Sequence, residues 1–354
     1  MNARAAITLR QRGRAEVLRE LLAGRKRLLV LTHTNPDPDS LGAAVGLREF
    51  AWKAARLEGT LALHGRILRA ENQEMVRQLG IHLEPLADIE LAKFDCVAMV
   101  DTQPGFGHTV VPDGLQVDIV IDHHVCSLQN AIPYEAPFID VRREIGATSS
   151  LIASYFMGSN LTPSTETATA LVYGINTDTA DLSRNVCELD LAASDFLMPL
   201  VDRAKLVAIT KPRLPPAYYR TLREALSKVR LYGHLALCSL GKTVSPEMVA
   251  EVADLLLRME GIQAVFCGGL VEDVFYVSVR TEIGPRDAWT LIRDAVGNED
   301  ASYGGHGTVA GGSIPLGSSD SRALKRLERR LERNILRSMG MEGVNAVGLG
   351  DFDE

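Results

Sequence analysis

In the first half of this chain, short apolar runs repeatedly end in clusters of carboxylates and imidazoles. Residues 28–31 lead into His33-Thr34-Asn35-Pro36-Asp37-Pro38-Asp39-Ser40, residues 96–100 into Asp101, and residues 117–121 into Asp122-His123-His124. A short apolar run bounded by polar residues reads as a strand buried on both faces. Residues 61–63 form a further such run, and helical patterns lie between the runs at 41–57, with Ser40 placed to cap it, and at 71–79. Strand and helix in alternation predict a parallel α/β sheet. In open sheets of that kind ligands collect beyond the carboxyl ends of the strands, so the polar strings are expected together in space.

At 354 residues the chain exceeds one ordinary core and fits two domains, and its 46% hydrophobic and 23% charged content is that of a soluble globular protein. The expected organisation is a basic N-terminal helix (1–24), a parallel-sheet catalytic domain (25–195), a helical linker (196–230), a smaller α/β domain (231–341) and a disordered acidic tail (342–354). Helices at 147–157 and 164–175 close the first domain, the second delivering Asp178. The linker contains Lys211-Pro212-Arg213-Leu214-Pro215-Pro216. Strands are expected at 231–240, 264–270 and 274–280, and helices at 246–259, 285–296 and 320–339. The last helix, with Leu324, Leu327, Leu331 and Ile335 at helical spacing, suits packing or a homodimer contact better than a nucleic-acid stripe.

A formal charge of −7 argues against a protein that coats a long duplex, while leaving room for a local cationic pocket. The five cysteines are odd in number and never in a C-x-x-C pair, and no apolar run reaches the length of a membrane span. The expectation is a cytoplasmic protein with no membrane partner.

Four aspartates, Asp37, Asp39, Asp101 and Asp178, with His33 and His123, form a mixed oxygen and nitrogen donor set without cysteine. Hard oxygen donors suit Mg²⁺ or Mn²⁺, and imidazole shifts the preference toward Mn²⁺ or Co²⁺, so two Mn²⁺ ions are the first expectation. Without cations, so many carboxylates at one sheet edge would cost several kcal/mol in repulsion and desolvation. A carboxylate bridging two ions about 4 Å apart is the arrangement used to activate water for in-line attack on phosphorus. Taken singly, each string also has an ordinary reading as a turn, a helix cap or a surface loop.

These residues resemble the DHH phosphoesterases, named for the tripeptide present here as Asp122-His123-His124. The resemblance runs through His33 with Asn35-Pro36-Asp37 and Asp39-Ser40, then Asp101, then the tripeptide, then Gly174-Ile175-Asn176-Thr177-Asp178-Thr179. It implies that His33 and Asp37 hold one metal, that Asp39, His123 and Asp178 hold the other, and that Asp101 bridges them. It further implies that His124 faces the substrate phosphate and that Asp122 supports the histidines.

In the second domain, Gly304-Gly305-His306-Gly307-Thr308-Val309-Ala310-Gly311-Gly312 is similar to the glycine-rich loop of the DHH-associated domain, with Tyr303 in place of the first glycine. Glycines let backbone amides approach an anion, which makes Gly305, His306 and Gly307 substrate-binding candidates. Arg184, in a register that departs from the family's, and Arg280 are the expected cations. Family members of this size and plan imply a hydrolase of short oligoribonucleotides, pApA-type dinucleotides or 3′-phosphoadenosine 5′-phosphate, with substrate between the domains. The alternatives are a cyclic-dinucleotide phosphodiesterase, an exopolyphosphatase, or a nucleotide-sensing regulator that keeps the fold without catalysis.

Overall fold

A computed structural model describes residues 3–106, 109–124, 134–243, 245–282, 287–297, 301–317 and 320–351, with backbone alone for 3–10 and His306. Two compact units result, Met1–Arg213 and Leu214–Glu354, divided inside the proline-rich stretch.

The first unit runs α1 (Ala3–Leu22), β1 (Arg27–Leu31), α2 (Pro38–Ala55), β2 (Glu58–Leu63), α3 (Ala70–Leu79), β3 (Glu84–Pro85), β4 (Cys96–Val100), β5 (Ile119–Asp122), β6 (Phe138–Val141), α4 (Thr148–Gly158), α5 (Thr165–Asp178), α6 (Glu188–Leu197) and α7 (Arg203–Thr210). The sheet order is β3-β2-β1-β4-β5-β6, with every pairing parallel. The parallel α/β fold is therefore as expected. Chain order reverses between β1 and β4, which places the topological switch point, where such sheets bind ligands, between the strands that end before His33 and Asp101. All five residues of β4 are buried, as a central parallel strand requires.

Helices α2, α4 and α5 pack closely because glycine lies at their contacts. A Cβ on Gly42 would stand 2.8 Å from the Ala170 carbonyl oxygen, and one on Gly174 would stand 2.4 Å from Ser149 Oγ and 3.0 Å from Asp39 Cα. Helix α1 buries Ala15, Leu18 and Leu22, and Gln11 accepts a hydrogen bond from Ser154 of α4 at 3.0 Å. Its role in the fold is packing.

Three local expectations in this unit change. The cap of α2 is Asp37 rather than Ser40, because Pro38 starts the helix and Asp37 Oδ1 accepts from the Ser40 amide at 3.0 Å. Residues 138–141, not expected as a strand, form β6 beside β5. Within the expected linker, α6 ends at Leu197 and α7 packs in the first unit.

The second unit comprises α8 (Pro216–Leu226), β7 (Arg230–Tyr232), β8 (Leu235–Lys242), α9 (Glu247–Leu257), β9 (Ala264–Val271), β10 (Val274–Thr281), α10 (Ala288–Val296), β11 (Ser302–His306), β12 (Val309–Pro315), α11 (Ser321–Met339) and β13 (Val347–Gly348). Its sheet, β11-β12-β10-β9-β8-β7-β13, is antiparallel except for β8 with β9. The expected single strand at 231–240 is a hairpin, β7 to β8, turning at Gly233 with φ +55°. The glycine-rich string is a hairpin as well, with Gly304 paired to Gly311 and His306 to Val309. Residues 342–351, expected in a disordered tail, include β13 paired to β7, and 352–354 lie outside the described residues. The apolar stripe of α11 is buried in this unit's own core, which accounts for its packing without a second copy.

Candidate metal centre

Side chains from five elements and the loops after them meet at the carboxyl end of the first sheet. His33 follows β1, Asp37 and Asp39 begin α2, Asp101 follows β4, Asp122 ends β5 with His123 and His124 next, and Asp178 ends α5. Three sets have ligand atoms within 4.8 Å of one another: His33 with Asp37 and Asp101, Asp39 with His123 and Asp178, and Asp101 with His123 and His124.

Asp101 belongs to two of these sets that hold different histidines. Its Oδ2 lies 3.6 Å from His33 Nε2, and its Oδ1 lies 3.6 Å from His123 Nε2. The residue is 1% exposed and has φ +59°, a left-handed conformation that costs a non-glycine residue energy and that Asp tolerates better than most. Its amide donates to the Ile121 carbonyl at 2.9 Å, which fixes the kink at the strand end.

Both inward-facing histidines are held through Nδ1. His33 Nδ1 donates to the Thr34 carbonyl at 3.0 Å and His123 Nδ1 to the Ile145 carbonyl at 3.1 Å. A carbonyl can only accept, so each Nδ1 carries a proton, and the ring presents its Nε2 to the carboxylates, as a lone pair whenever the ring is neutral. His124 is oriented differently: its Nδ1 donates to Asp122 Oδ1 at 2.8 Å, and its side chain is 39% exposed.

Both oxygens of Asp122 are already engaged in hydrogen bonds. Oδ1 accepts from the His123 and His124 amides and from the His124 ring, while Oδ2 accepts from Gln103 Nε2 at 2.7 Å. Asp39 is anchored by the N-terminus of α4, accepting from the Thr148 amide at 2.6 Å and the Ser149 amide at 2.8 Å. Asp178 sits at the C-terminus of α5, the end that disfavours negative charge.

Electrostatically the cluster is frustrated. Burial, and then the charges of Asp39 and Asp37, pushes Asp101 well above the usual carboxylate range. Burial, and then Asp178, pushes Asp39 up to about 7, and burial also raises Asp178. Burial lowers His123, but Asp178 and Asp39 outweigh it and hold the ring at about 9. For Asp37, burial acts upward but the His33 ring and the Ser40 amide win, so its pKa is lowered. Among the described residues, the ion pairs of Asp37, Asp39, Asp101 and Asp178 are with histidines alone. Asp101 Oδ2 and His123 Nε2 are buried without a hydrogen-bond partner. Divalent cations resolve both problems, since they neutralise the carboxylates and take the orphaned lone pairs.

Comparison with protein families bears on this arrangement. Residues 27–175 match the DHH family N-terminal domain, and residues 232–333 match the DHHA1 domain. The chain is a DHH-family protein with a DHHA1 domain. An uncharacterised Methanocaldococcus jannaschii protein, MJ1633, is 34% identical over 322 residues, covering 89% of this chain and 64% of its own length. The cyclic-di-AMP phosphodiesterase GdpP of Bacillus subtilis is 23% identical over 92% of this chain and 50% of that protein. This DHH chain thus spans only part of the length of these relatives. An exopolyphosphatase-related protein from Bacteroides fragilis superposes with a TM-score of 0.70 at 16% identity, covering 92% of this chain and 97% of that one. RecJ from Thermus thermophilus, solved with Mn²⁺, gives 0.53 at 17% identity, covering 92% and 55%. At those identities the likeness is one of fold.

The remaining sequence candidates of this DHH protein are Arg184 in the first unit and Arg280 with the glycine-rich turn in the second. Arg184 is exposed in the turn after α5, where Ala180, Asp181 and Leu182 all have positive φ. Arg280 lies in the DHHA1 sheet, 7% exposed, and its guanidinium is committed to Asp254, to Ser278 Oγ at 2.7 Å and to the Val279 carbonyl at 3.1 Å. Its charge is therefore already balanced there. Gly305 and Gly307 flank His306 at the β11–β12 turn with φ +154° and +55°.

Sequence reasoning missed Thr148, Ser149 and Gln103. Thr148 Oγ1 donates to Asp101 Oδ1 at 2.9 Å, and Gln103 links Asp122 to the His124 carbonyl at 3.1 Å. The Gly146-Ala147-Thr148-Ser149 string opening a helix was the available signal for the first two. For Gln103, two residues past Asp101, there was none.

Proposed function

We propose that this chain is a two-metal phosphohydrolase acting on short linear oligoribonucleotides, pApA-type dinucleotides or 3′-phosphoadenosine 5′-phosphate, with Mn²⁺ as its metal. The observation that carries the reading is Asp101, buried and shared between two carboxylate–imidazole sets through separate oxygens.

His33 and Asp37 would hold one cation and Asp39, His123 and Asp178 the other, with Asp101 offering an oxygen to each set. Bound there, the cations supply Lewis acidity for a phosphoryl oxygen and lower the pKa of water. Asp122 holds His124 by Nδ1, so Nε2 is directed away from that carboxylate, where it accepts a proton when the ring is neutral and donates to a substrate oxygen once the ring is doubly protonated. Asp39, clamped by two amides of α4, keeps its position as charge at the centre changes. Arg184 and the Gly305-His306-Gly307 turn are the proposed phosphate contacts. Mixed oxygen and imidazole donors support Mn²⁺ over Mg²⁺. The likeness to GdpP favours a second reading, hydrolysis of a cyclic dinucleotide.

One experiment separates these readings. Purified protein with Mn²⁺ is incubated with pAp, pApA, cyclic-di-AMP, a short RNA, pyrophosphate and polyphosphate, and the products are resolved by chromatography. Cleavage of pApA, pAp or the RNA, abolished by chelator, is expected. Faster cleavage of cyclic-di-AMP establishes the second reading, and cleavage of nothing overturns the hydrolase reading and favours the nucleotide-sensing alternative.

A further inference from the structure

The second unit carries a groove whose chemistry is unrelated to metal ligation. A cavity of about 610 Å³ lies between the end of β12, at Ile314 and Leu316, and one flank of α11. Four arginines line it, Arg326, Arg329, Arg330 and Arg333, and no carboxylate does. They recur at the three- and four-residue intervals that put side chains on one helical stripe.

Like charges at that spacing destabilise a helix, so the stripe has a cost that its own packing does not explain. The helix's acidic residues are not placed to relieve it. Glu328 receives the Ser239 hydroxyl, and Glu332 pairs with Arg230 and the Tyr232 hydroxyl, both on another flank. Arg326, Arg329 and Arg333 are exposed and, among the described residues, take part in no ion pair. All this occurs in a chain whose net charge is −7, so the positive charge is local rather than a property of the whole surface.

We propose that this groove binds the phosphodiester backbone of a single-stranded oligonucleotide, as a surface additional to the metal centre. Guanidinium forks match phosphate oxygens two at a time, and the apolar β12 wall gives base faces a dry surface. From Arg326 to Arg333 the helix rises about 10 Å, which spans about three steps of a stacked strand at roughly 3.4 Å each. A linear row of cations of that length fits a linear row of phosphates better than a single anion. The inference rests on the nucleotide-hydrolase reading and adds to it a second contact surface, away from the metal ligands, for the longest of the proposed substrates.

The test is fluorescence anisotropy with a fluorescein-labelled oligoadenylate RNA in EDTA, where no metal-dependent step takes part. The variant is Arg326→Gln/Arg329→Gln/Arg333→Gln, which keeps the long stems and the helix propensity. The control is Arg213→Gln/Arg220→Gln/Arg223→Gln, an equal charge change at other exposed positions. Three lost phosphate contacts at about 0.7 counterions each lower the salt slope by about 2, a loss of roughly fifty-fold at about 0.15 M salt against a 1 M reference. That loss in the groove variant, with the control like the parent, is the expected result. Equal effects in the two variants, no effect in the groove variant, or a polyglutamate peptide that displaces the RNA at equal charge overturns the proposal. Groove binding without hydrolysis of any panel substrate would instead sink the enzyme reading and leave the groove standing.

Discussion

Replacing Asp101 with asparagine should make the metal-free protein more stable while removing its ability to gain stability from metal. Asp101 is 1% exposed, its Oδ2 has no hydrogen-bond partner, and burial with neighbouring carboxylates raises its pKa from 3.8 to well above. At pH 7 the unfolded chain ionises this group freely, whereas the folded chain must either bind a proton or hold a disfavoured charge. A raised carboxylate pKa is thus a destabilising contribution at neutral pH, with a ceiling of about 4 kcal/mol for a group that stays protonated on folding. Asparagine removes that contribution. It keeps the Oδ1 acceptor that receives Thr148 Oγ1 at 2.9 Å, and it adopts the φ of +59° readily. Its amide must still find acceptors, which reduces the net gain to about 1–3 kcal/mol.

The measurement is urea unfolding in EDTA, followed by Trp52 fluorescence in a Trp289→Phe background so that the first unit alone reports. The gain should be full at pH 7 and should shrink as pH falls through the ordinary aspartate value of 3.8, vanishing only near about pH 2, where aspartate is protonated in both states and carries no penalty. Added Mn²⁺ should stabilise the parent and leave the variant unmoved. A variant less stable than the parent in EDTA at pH 7 would refute the idea that the cluster is held together against its own charge, as would a gain that stays undiminished at about pH 2.

Three further outcomes follow from the same geometry. Mn²⁺ at about a hundred times its dissociation constant should stabilise the first unit by about 2.7 kcal/mol, raising its Tm by roughly 5–10 °C in calorimetry; no shift would deny the cluster a metal. Gly174→Ala forces α5 away from Ser149 and Asp39, and should cost about 1–3 kcal/mol together with a measurable loss of Mn²⁺ affinity by titration calorimetry. Affinity unchanged at reduced stability would separate that helix contact from the site. Asp140→Asn leaves the buried Arg142 guanidinium short of its bidentate partner, bound now at 2.6 and 2.8 Å, and should lower unfolding free energy by about 3–5 kcal/mol by urea titration.

Much of the first unit was legible because parallel sheets write themselves plainly. A strand buried on both faces must be apolar throughout, so β1, β4 and β5 stood out as runs. The polar strings after them could then be assigned to one sheet edge. β6 was missed because its burial alternates, with Ile139 exposed, and its short Phe-Ile-Asp-Val pattern carries Asp140 into the core on the strength of Arg142 and Tyr155 alone. In the second unit, β7 and β8 read as one run because apolar residues continue on both sides of their two-residue turn, and β11 and β12 read as a loop because their glycines carry no apolar pattern. The ten residues from 342 looked like a tail because glycine and acid dominate them, yet backbone pairing of Val347 and Gly348 to β7 needs no particular side chain.

Composition and order alone determined that carboxylates and imidazoles would collect at the end of a parallel sheet, because chain topology leaves strand ends nowhere else to point. What each of them does there was decided only in three dimensions. Asp122 and Asp101 are both buried aspartates at strand ends, indistinguishable by type, but one has both oxygens hydrogen-bonded, to amides, a ring and Gln103, while the other keeps an oxygen bare. Hydrogen-bond saturation is a property of neighbours brought from elsewhere in the chain, and it separates a supporting carboxylate from one with a lone pair left to give.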